Sequence, residues 1–480
     1  MTAFWATAAL IVPWAAGSGI VAALRDRGTS RFLIVGAGWL AGQAMMMALL
    51  FASFASGSSH ARMLLALMAL IAAVLWFFAA RSRFILHSLP SVLPSPPHGF
   101  HPSSFILLII GAGLLIKLYL LAGAHAFVPA RCDDAVSIWL FKAKVIASLD
   151  QLFQPSGHPY DMGGSNPHYA VFVSLVAAWV PLVVGRWHEQ LATLPWLFYF
   201  VNLVLLTAGG LRRWLSSTQA WIAAYIVGSL PLLIIHVYRP GYADLILAAF
   251  LASTVLFLLM WQATGMRRHL CLAGMFVLVT ACLKRESAAL AAITVFVLLL
   301  TSWRLVRAWS RRTRAVVAVA TATIGLLVFA LVDFSEQTDA TAALGYHSDV
   351  WPRLCQHVLG WSSFHFLFWG LLAATVHLVV RGSRAWRGGM GTRSPGEPGR
   401  SLPVDGPSYG RNGSSVRNTA VLLALALCGF QAAVFLFTDQ ARFALNDQTP
   451  SRLFMQLAPA LILVFGATMS PNAMNRRTDS

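Results

Sequence analysis

Acidic side chains are scarce in this chain, with 17 Asp and Glu among 480 residues against 35 Lys and Arg. Only 11% of the residues are charged, whereas soluble domains average about 25%. Cysteine is sparse too. Cys132, Cys271, Cys282, Cys355 and Cys428 form no CxxC pair and no zinc-ligand spacing, which removes dithiol redox chemistry and a structural zinc site. Glycine-rich phosphate loops, GxGxxG, HExxH and haem-attachment motifs are absent, so nucleotide hydrolysis and redox catalysis lack their signatures. A basic n-region is missing as well. Apolar residues run from Phe4 to Leu24, followed by Arg25, Arg27 and Arg31. That polarity suits a first membrane helix with its N-terminus outside, not a cleaved signal peptide.

What fills the chain instead is apolar sequence, 58% of all residues. It comes in runs close to the 20 or so residues that carry a helix across about 30 Å of hydrocarbon. The expected fold is all-α, a polytopic transmembrane helical bundle with about 13–14 such segments. Apolar segments are expected at 3–24, 32–56, 61–80, 104–127, 169–185, 190–210 and 216–236. Further spans are expected at 242–262, 269–283, 287–302, 315–333, 357–380, 418–438 and 452–469.

Prolines 90, 94, 96 and 97 suggest a boundary between an N-terminal three-helix membrane unit (1–90) and a main membrane module (104–470). A polar loop covers 128–168. The segment 381–417, rich in Gly, Pro, Ser and Arg, reads as a disordered cytoplasmic linker. The formal charge of +18 does not indicate nucleic acid. Its basic residues lie in short clusters between apolar runs, as the positive-inside rule expects, with no aromatic-interleaved basic domain. With the 128–168 loop outside, most basic clusters fall inside and most acids outside. Three full spans between His168 and Tyr238 would reverse Asp244, so 169–185, flanked by Pro167 and containing Pro181, is expected not to cross fully. Cys132 and Cys355 then share the outer face, as a disulfide or as two thiols.

Four polar clusters gather on that outer side. The pair Asp133-Asp134 opens residues 134–149, whose apolar and basic positions alternate at helical spacing. Ile138, Trp139, Phe141, Val145 and Ile146 suit lipid, and Lys142 and Lys144 suit headgroups, as in an interfacial helix. Adjacent carboxylates near low dielectric have their pKa values pushed apart, which leaves one as a base. The alternative is structural, with Asp133 as N-cap and Asp134 complementing the helix dipole. Tyr238-Arg239-Pro240-Gly241-Tyr242-Ala243-Asp244 lies at a helix junction, where Asp244 is either a cap or a functional acid. Lys284-Arg285-Glu286 sits between two apolar segments and suits a phosphate, or else interfacial snorkelling balanced by Glu286. Arg452, opening the last span, is a further site for an anionic headgroup, or an ordinary interfacial arginine. His158, His168 and His347 lack metal-ligand spacing, although Asn166-Pro167-His168-Tyr169 could line a cleft. Lys117 is expected to snorkel outward.

The order of these features resembles the GT-C glycosyltransferase superfamily. The nearest likeness is to the bacterial protein O-mannosyltransferase and aminoarabinose transferase-like group. Asp134-Ala135 with Trp139 and Ala143-Lys144 resembles that group's first-loop pattern, Asp-Ala-x-x-x-Trp-x-x-x-Ala-Lys. Gly241-Tyr242-Ala243-Asp244-Leu245 and Lys284-Arg285-Glu286 are similar to its later motifs, and the likeness covers roughly 104–470. The resemblance implies sugar transfer from a polyprenyl-phosphate donor to a lipid, glycan or protein hydroxyl, with inversion, at a bacterial inner membrane with the site facing the periplasm. It implies Asp133 or Asp134 as the base, with Asp134 favoured by the Asp-Ala pattern. Lys284, Arg285 and Arg452 would meet the donor phosphate, and Asp244, Tyr242, Glu286, His168 and Arg239 would line the cleft. No metal ligand set is assigned; some members use a divalent cation and many need none. The alternative reading is a transporter or flippase for a lipid-linked anion, which should show repeats or broken helices at mid-membrane.

Overall fold

The computed structural model describes residues 1–81, 102–130, 134–152, 170–302, 346–360, 413–438, 441–445 and 450–469, apart from positions 27 and 55, and isolated residues elsewhere. The expected span at 315–333, half of 357–380 and most of the 381–417 linker lie outside the described residues. Among those described, every regular element is helical and none is a strand. The N-terminal helices are α1 (Thr2–Ala23), α2 (Arg31–Phe54), α3 (Ala61–Arg81) and α4 (Pro102–Phe127). A π-helical turn, Ala135–Leu140, runs into α5 (Phe141–Leu149), followed by α6 (Phe172–Val184) and α7 (Glu189–Leu211). Next come α8 (Ser217–Val227), α9 (Pro231–Tyr238), α10 (Ala243–Thr264), α11 (Arg267–Leu283) and α12 (Arg285–Thr301). The last four are α13 (Val350–Cys355), α14 (Gly413–Phe437), α15 (Ala441–Leu445) and α16 (Pro450–Thr468). Eight of the described helices are long and apolar enough to cross a membrane, or nine if α8 and α9 form one bent span. The protein is a multi-pass, all-α membrane bundle.

Helix α10 is its axis. The 18-residue apolar window of α10 is wholly buried, whereas that of α4 is 11% buried and that of α3 28%. Those outer helices turn Leu108, Leu115, Tyr119, Phe77 and Phe78 outward, the side chains that lipid accepts without cost. Close packing at the N-terminal end uses small residues. A Cβ on Gly17 would strike the backbone of Gly38 and Gly42, and one on Gly36 the backbone of Leu206, so α1, α2 and α7 meet at backbone distance. The first three helices are thereby packed onto the rest of the bundle.

Cross-chain contacts sort the helix ends into two layers. At one end Ser59 N–H donates to Asp150 (3.0 Å), Ala130 N–H to Glu189 (2.6 Å) and His347 N–H to Leu436 O (2.8 Å). Asp244 belongs to this layer. At the other end Ser30 donates to Gly209 O (3.0 Å), and the amide of Gln262 reaches Thr301, Ser302 and Thr419. Asp26 belongs there.

Helix α6 has both ends in the Asp244 layer. Phe172 stacks on Phe51 (5.5 Å between ring centroids), Arg62 donates to Val183 O (3.0 Å), and Arg186 donates to the Thr2 hydroxyl (3.1 Å). Thirteen residues reach only about 20 Å, and Trp179 donates to Ala9 O partway along. The expected non-crossing segment is thus found at α6. In contrast, the single span expected over 216–236 is broken. Helices α8 and α9 bend by 59° at Gly228–Leu230, where Pro231 starts the second piece. Lys117 does not snorkel outward. Its ammonium donates to Gly228 O (3.4 Å), a carbonyl at the break, and to the Ser229 hydroxyl, and it lies 4.4 Å from the Tyr225 ring.

Candidate functional site

Gly241 brings the first-loop segment to the head of α10. Its φ of +108° is in the region that glycine tolerates, and an added Cβ would lie 2.8 Å from Ala135 Cβ. The π-helical turn therefore seats directly on the Tyr242-Ala243-Asp244 junction. Ala135, Trp139, Leu140, Ala143 and Ile146 are buried in the bundle, so Trp139 and Ile146 pack on protein, not on lipid as expected from the sequence. The neighbouring helix α6 takes the place that lipid was expected to occupy. Lys142 is half-buried, and burial brings its ammonium down to about 8. The residue preceding the turn is Asp134, but its carboxylate makes no capping bond to the helix start. Asp133 lies outside the described residues.

Asp244 is the centre of the site, 1% exposed. Tyr242 occupies the N-cap position of α10 and Asp244 its first turn, so Asp244 is not the cap. Oδ1 accepts from Lys284 Nζ at 2.9 Å and from Gln456 Nε2 at 2.6 Å. Oδ2 accepts from Arg452 Nη2 at 2.9 Å and Nε at 3.3 Å, and His236 Nε2 stands 3.5 Å away. The other ring nitrogen, Nδ1, bonds Leu232 O at 2.8 Å. A buried carboxylate is tolerable only when paired and hydrogen-bonded, and both conditions are met here.

Each of the two cations also reaches a more exposed acid. Arg452 Nη1 donates to Asp134 Oδ2 at 2.9 Å, and Lys284 Nζ lies 3.2 Å from Glu286 Oε1. Side-chain exposures rank the partners: Asp244 1%, Lys284 8%, Arg452 26%, Glu286 31% and Asp134 48%. The cluster thus opens from a dry centre to a wet rim. The Arg452 guanidinium also covers the Tyr242 ring at 4.5 Å, and Trp196 Nε1 donates to Tyr242 O at 2.7 Å. At the residue before Arg452, His357 Nδ1 and the Ser451 hydroxyl are 2.9 Å apart, which ties the segment after α13 to the start of α16.

Asp134, Tyr242, Asp244, Lys284, Glu286 and Arg452, anticipated from four separate stretches, therefore meet in one place. Arg239 does not join them: it is exposed and makes no bond to the cluster among the described residues. His168 and the Arg285 side chain lie outside the described residues. Gln456, His236 and Trp196 were not anticipated. Gln456 carried one legible signal, since four residues after Arg452 places it on the same helix face. Cys355 is a free thiol, and Cys132 lies outside the described residues. Among the described residues no group of three or more His, Cys, Asp or Glu side chains gathers as metal ligands do. The arrangement offers an exposed carboxylate beside a guanidinium, with a second cation behind it. No family model, no curated protein and no solved structure matches this chain.

Proposed function

We propose that the protein is a membrane glycosyltransferase, acting on a sugar carried by a polyprenyl phosphate, with Asp134 as general base. One observation supports this reading above the others. Asp134, at the head of the π-helical turn and half exposed, is 2.9 Å from a guanidinium that is itself anchored to a buried acid. A base for a hydroxyl and a cation for a departing phosphate are what this transfer requires side by side.

In the proposed step the acceptor oxygen attacks the anomeric carbon from the face opposite the phosphate, and its proton passes to Asp134. The bond from that carbon to the phosphate oxygen breaks, and the electron pair leaves on the polyprenyl phosphate. Arg452 lies against the anion as its charge grows. Lys284, nearly enclosed by Asp244 and Glu286, contributes field from behind more than direct contact. By charge bias the site faces away from the cytoplasm, the side that the resemblance to the bacterial glycosyltransferase group makes the periplasm.

The test is transfer from a radiolabelled polyprenyl-phosphate sugar in membranes, comparing wild type with Asp134→Asn at matched expression. Loss of the base should lower the rate by roughly 10²- to 10⁴-fold. Undiminished transfer by Asp134→Asn would remove the mechanism.

A transporter or flippase for a lipid-linked anion is the second reading, favoured by the broken span α8–α9 with Lys117 at the break. Movement of the lipid phosphate across vesicles that is lost in Lys117→Met but kept in Asp134→Asn would move this reading ahead.

A further inference from the structure

We propose that Arg452 is shared in turn, by Asp134 before the substrate arrives and by the substrate's phosphate afterwards, so that the lipid phosphate itself releases the base. This rests on the reading of the site as a lipid-phosphate site given above.

The inference follows from how unequally the guanidinium is held. Toward Asp244 it donates twice, through Nη2 and Nε, to a carboxylate that also has Lys284 and Gln456 on its other oxygen. Toward Asp134 it donates once, through Nη1, to a carboxylate that is 48% exposed. A half-exposed ion pair is weak because water screens it and competes for both partners. An enclosed pair is costly to break because the remaining charge has no solvent to turn to. An arriving oxyanion therefore displaces Asp134, not Asp244. Asp244, Lys284 and Gln456 act as positioning residues that keep the guanidinium in place while its outer nitrogen changes partner.

The exchange has a chemical consequence. While Asp134 is paired with Arg452, its Oδ2 is occupied by the guanidinium Nη1. Once the phosphate takes Nη1, that oxygen is free to accept the proton of the acceptor hydroxyl, with the leaving group already bound. The acceptor hydroxyl is then deprotonated only when a donor is present, which limits side reactions at an empty site.

A binding measurement on the purified full chain tests the exchange without requiring turnover. Dodecyl phosphate is titrated into wild type, Asp134→Asn and Arg452→Lys, with dodecanol as the uncharged control and thermal melts to confirm folding. If Asp134 competes for Arg452, Asp134→Asn binds dodecyl phosphate about two- to fivefold tighter, the size of one exposed ion pair. Arg452→Lys should bind it more weakly, and dodecanol should bind all three alike. Equal or weaker binding of dodecyl phosphate by Asp134→Asn overturns the exchange. If wild type transfers sugar but shows no such tightening on substitution, the exchange fails and the glycosyltransferase reading stands. If the tightening is found but no sugar is transferred, the exchange stands and the reaction assigned to the site fails.

Discussion

Two buried aspartates stand near opposite ends of α10, a helix of 22 residues and thus about 33 Å long. Asp26 lies in the α1–α2 connection. Its Oδ1 accepts from the Thr29 hydroxyl at 2.6 Å and the Gly28 N–H at 3.2 Å, and its Oδ2 from Arg213 at 2.8 Å. His269 Nε2 is 3.8 Å from the same oxygen. Among the described residues this acid faces one permanent cation, and local hydroxyl and amide donors add to its shell. Asp244 faces two, Lys284 and Arg452, and the surplus positive charge is met by Asp134 and Glu286 at the rim. The first network is balanced from within and acts as a rivet between α1–α2, α7 and α11. The second is balanced in part at the rim, where Asp134 is the acid that an incoming anion can replace. A buried ion pair alone therefore does not mark a site; cations left over for exposed partners do.

The largest effect is expected from Asp244→Asn. It strands Lys284 and Arg452 together in a dry pocket, and loss of one partner of a buried pair costs about 3–5 kcal/mol. Thermal unfolding in detergent should show it, and a variant that melts with wild type would mean that the pocket is wetter than its burial suggests. Asp26→Asn should cost less, about 1–3 kcal/mol, because Arg213 is the one permanent cation it leaves among the described residues and the local donors keep an amide oxygen to bind. Dodecyl phosphate affinity should be unchanged in Asp26→Asn, and any marked loss would dissolve the contrast between the two ends.

Gly241→Ala probes how the open network is assembled. The side chain would force an unfavourable φ and press on Ala135, at a cost of about 1–3 kcal/mol. Because the displaced element carries Asp134, transfer should fall more than stability does. Unaltered transfer with lowered stability would show that the base does not depend on this contact.

The smallest effect concerns pH. Burial pushes the Asp26 carboxyl up, but Arg213, Thr29 and His269 outweigh it and leave it below the ordinary value of 3.8. A carboxyl lowered by folding contributes fully above its unfolded value and loses that contribution as the pH falls through its folded one. Melting temperature against pH, below about pH 4, should therefore fall more steeply in wild type than in Asp26→Asn. Parallel curves would remove Asp26 from the acid-side stability.

Much of this is legible in the sequence. Asp134, Asp244, Lys284 and Arg452 were each conspicuous as charges bordering apolar runs, and positive-inside bias put them on one side. Asp26 went unrecognised although it too carried a signal, as a lone acid inside the Arg25, Arg27 and Arg31 cluster. The interfacial helix was misjudged because alternation identifies an apolar face without identifying what covers it, and α6 covers it here. The bend between α8 and α9 was missed because Gly228 and Pro231 sit inside a run whose mean hydropathy is continuous.

The membrane class, the all-helical architecture and most span boundaries follow from the sequence by itself, because the length of an apolar run and the demand for internal backbone hydrogen bonds are local properties. The site is not local. Asp244 meets Lys284 across 40 residues and Gln456 across 212, and Arg452 meets Asp134 across 318. Pairings at such separations carry no periodic trace along the chain. They arise only when packing around α10 closes the low-dielectric pocket in which these charges must find one another.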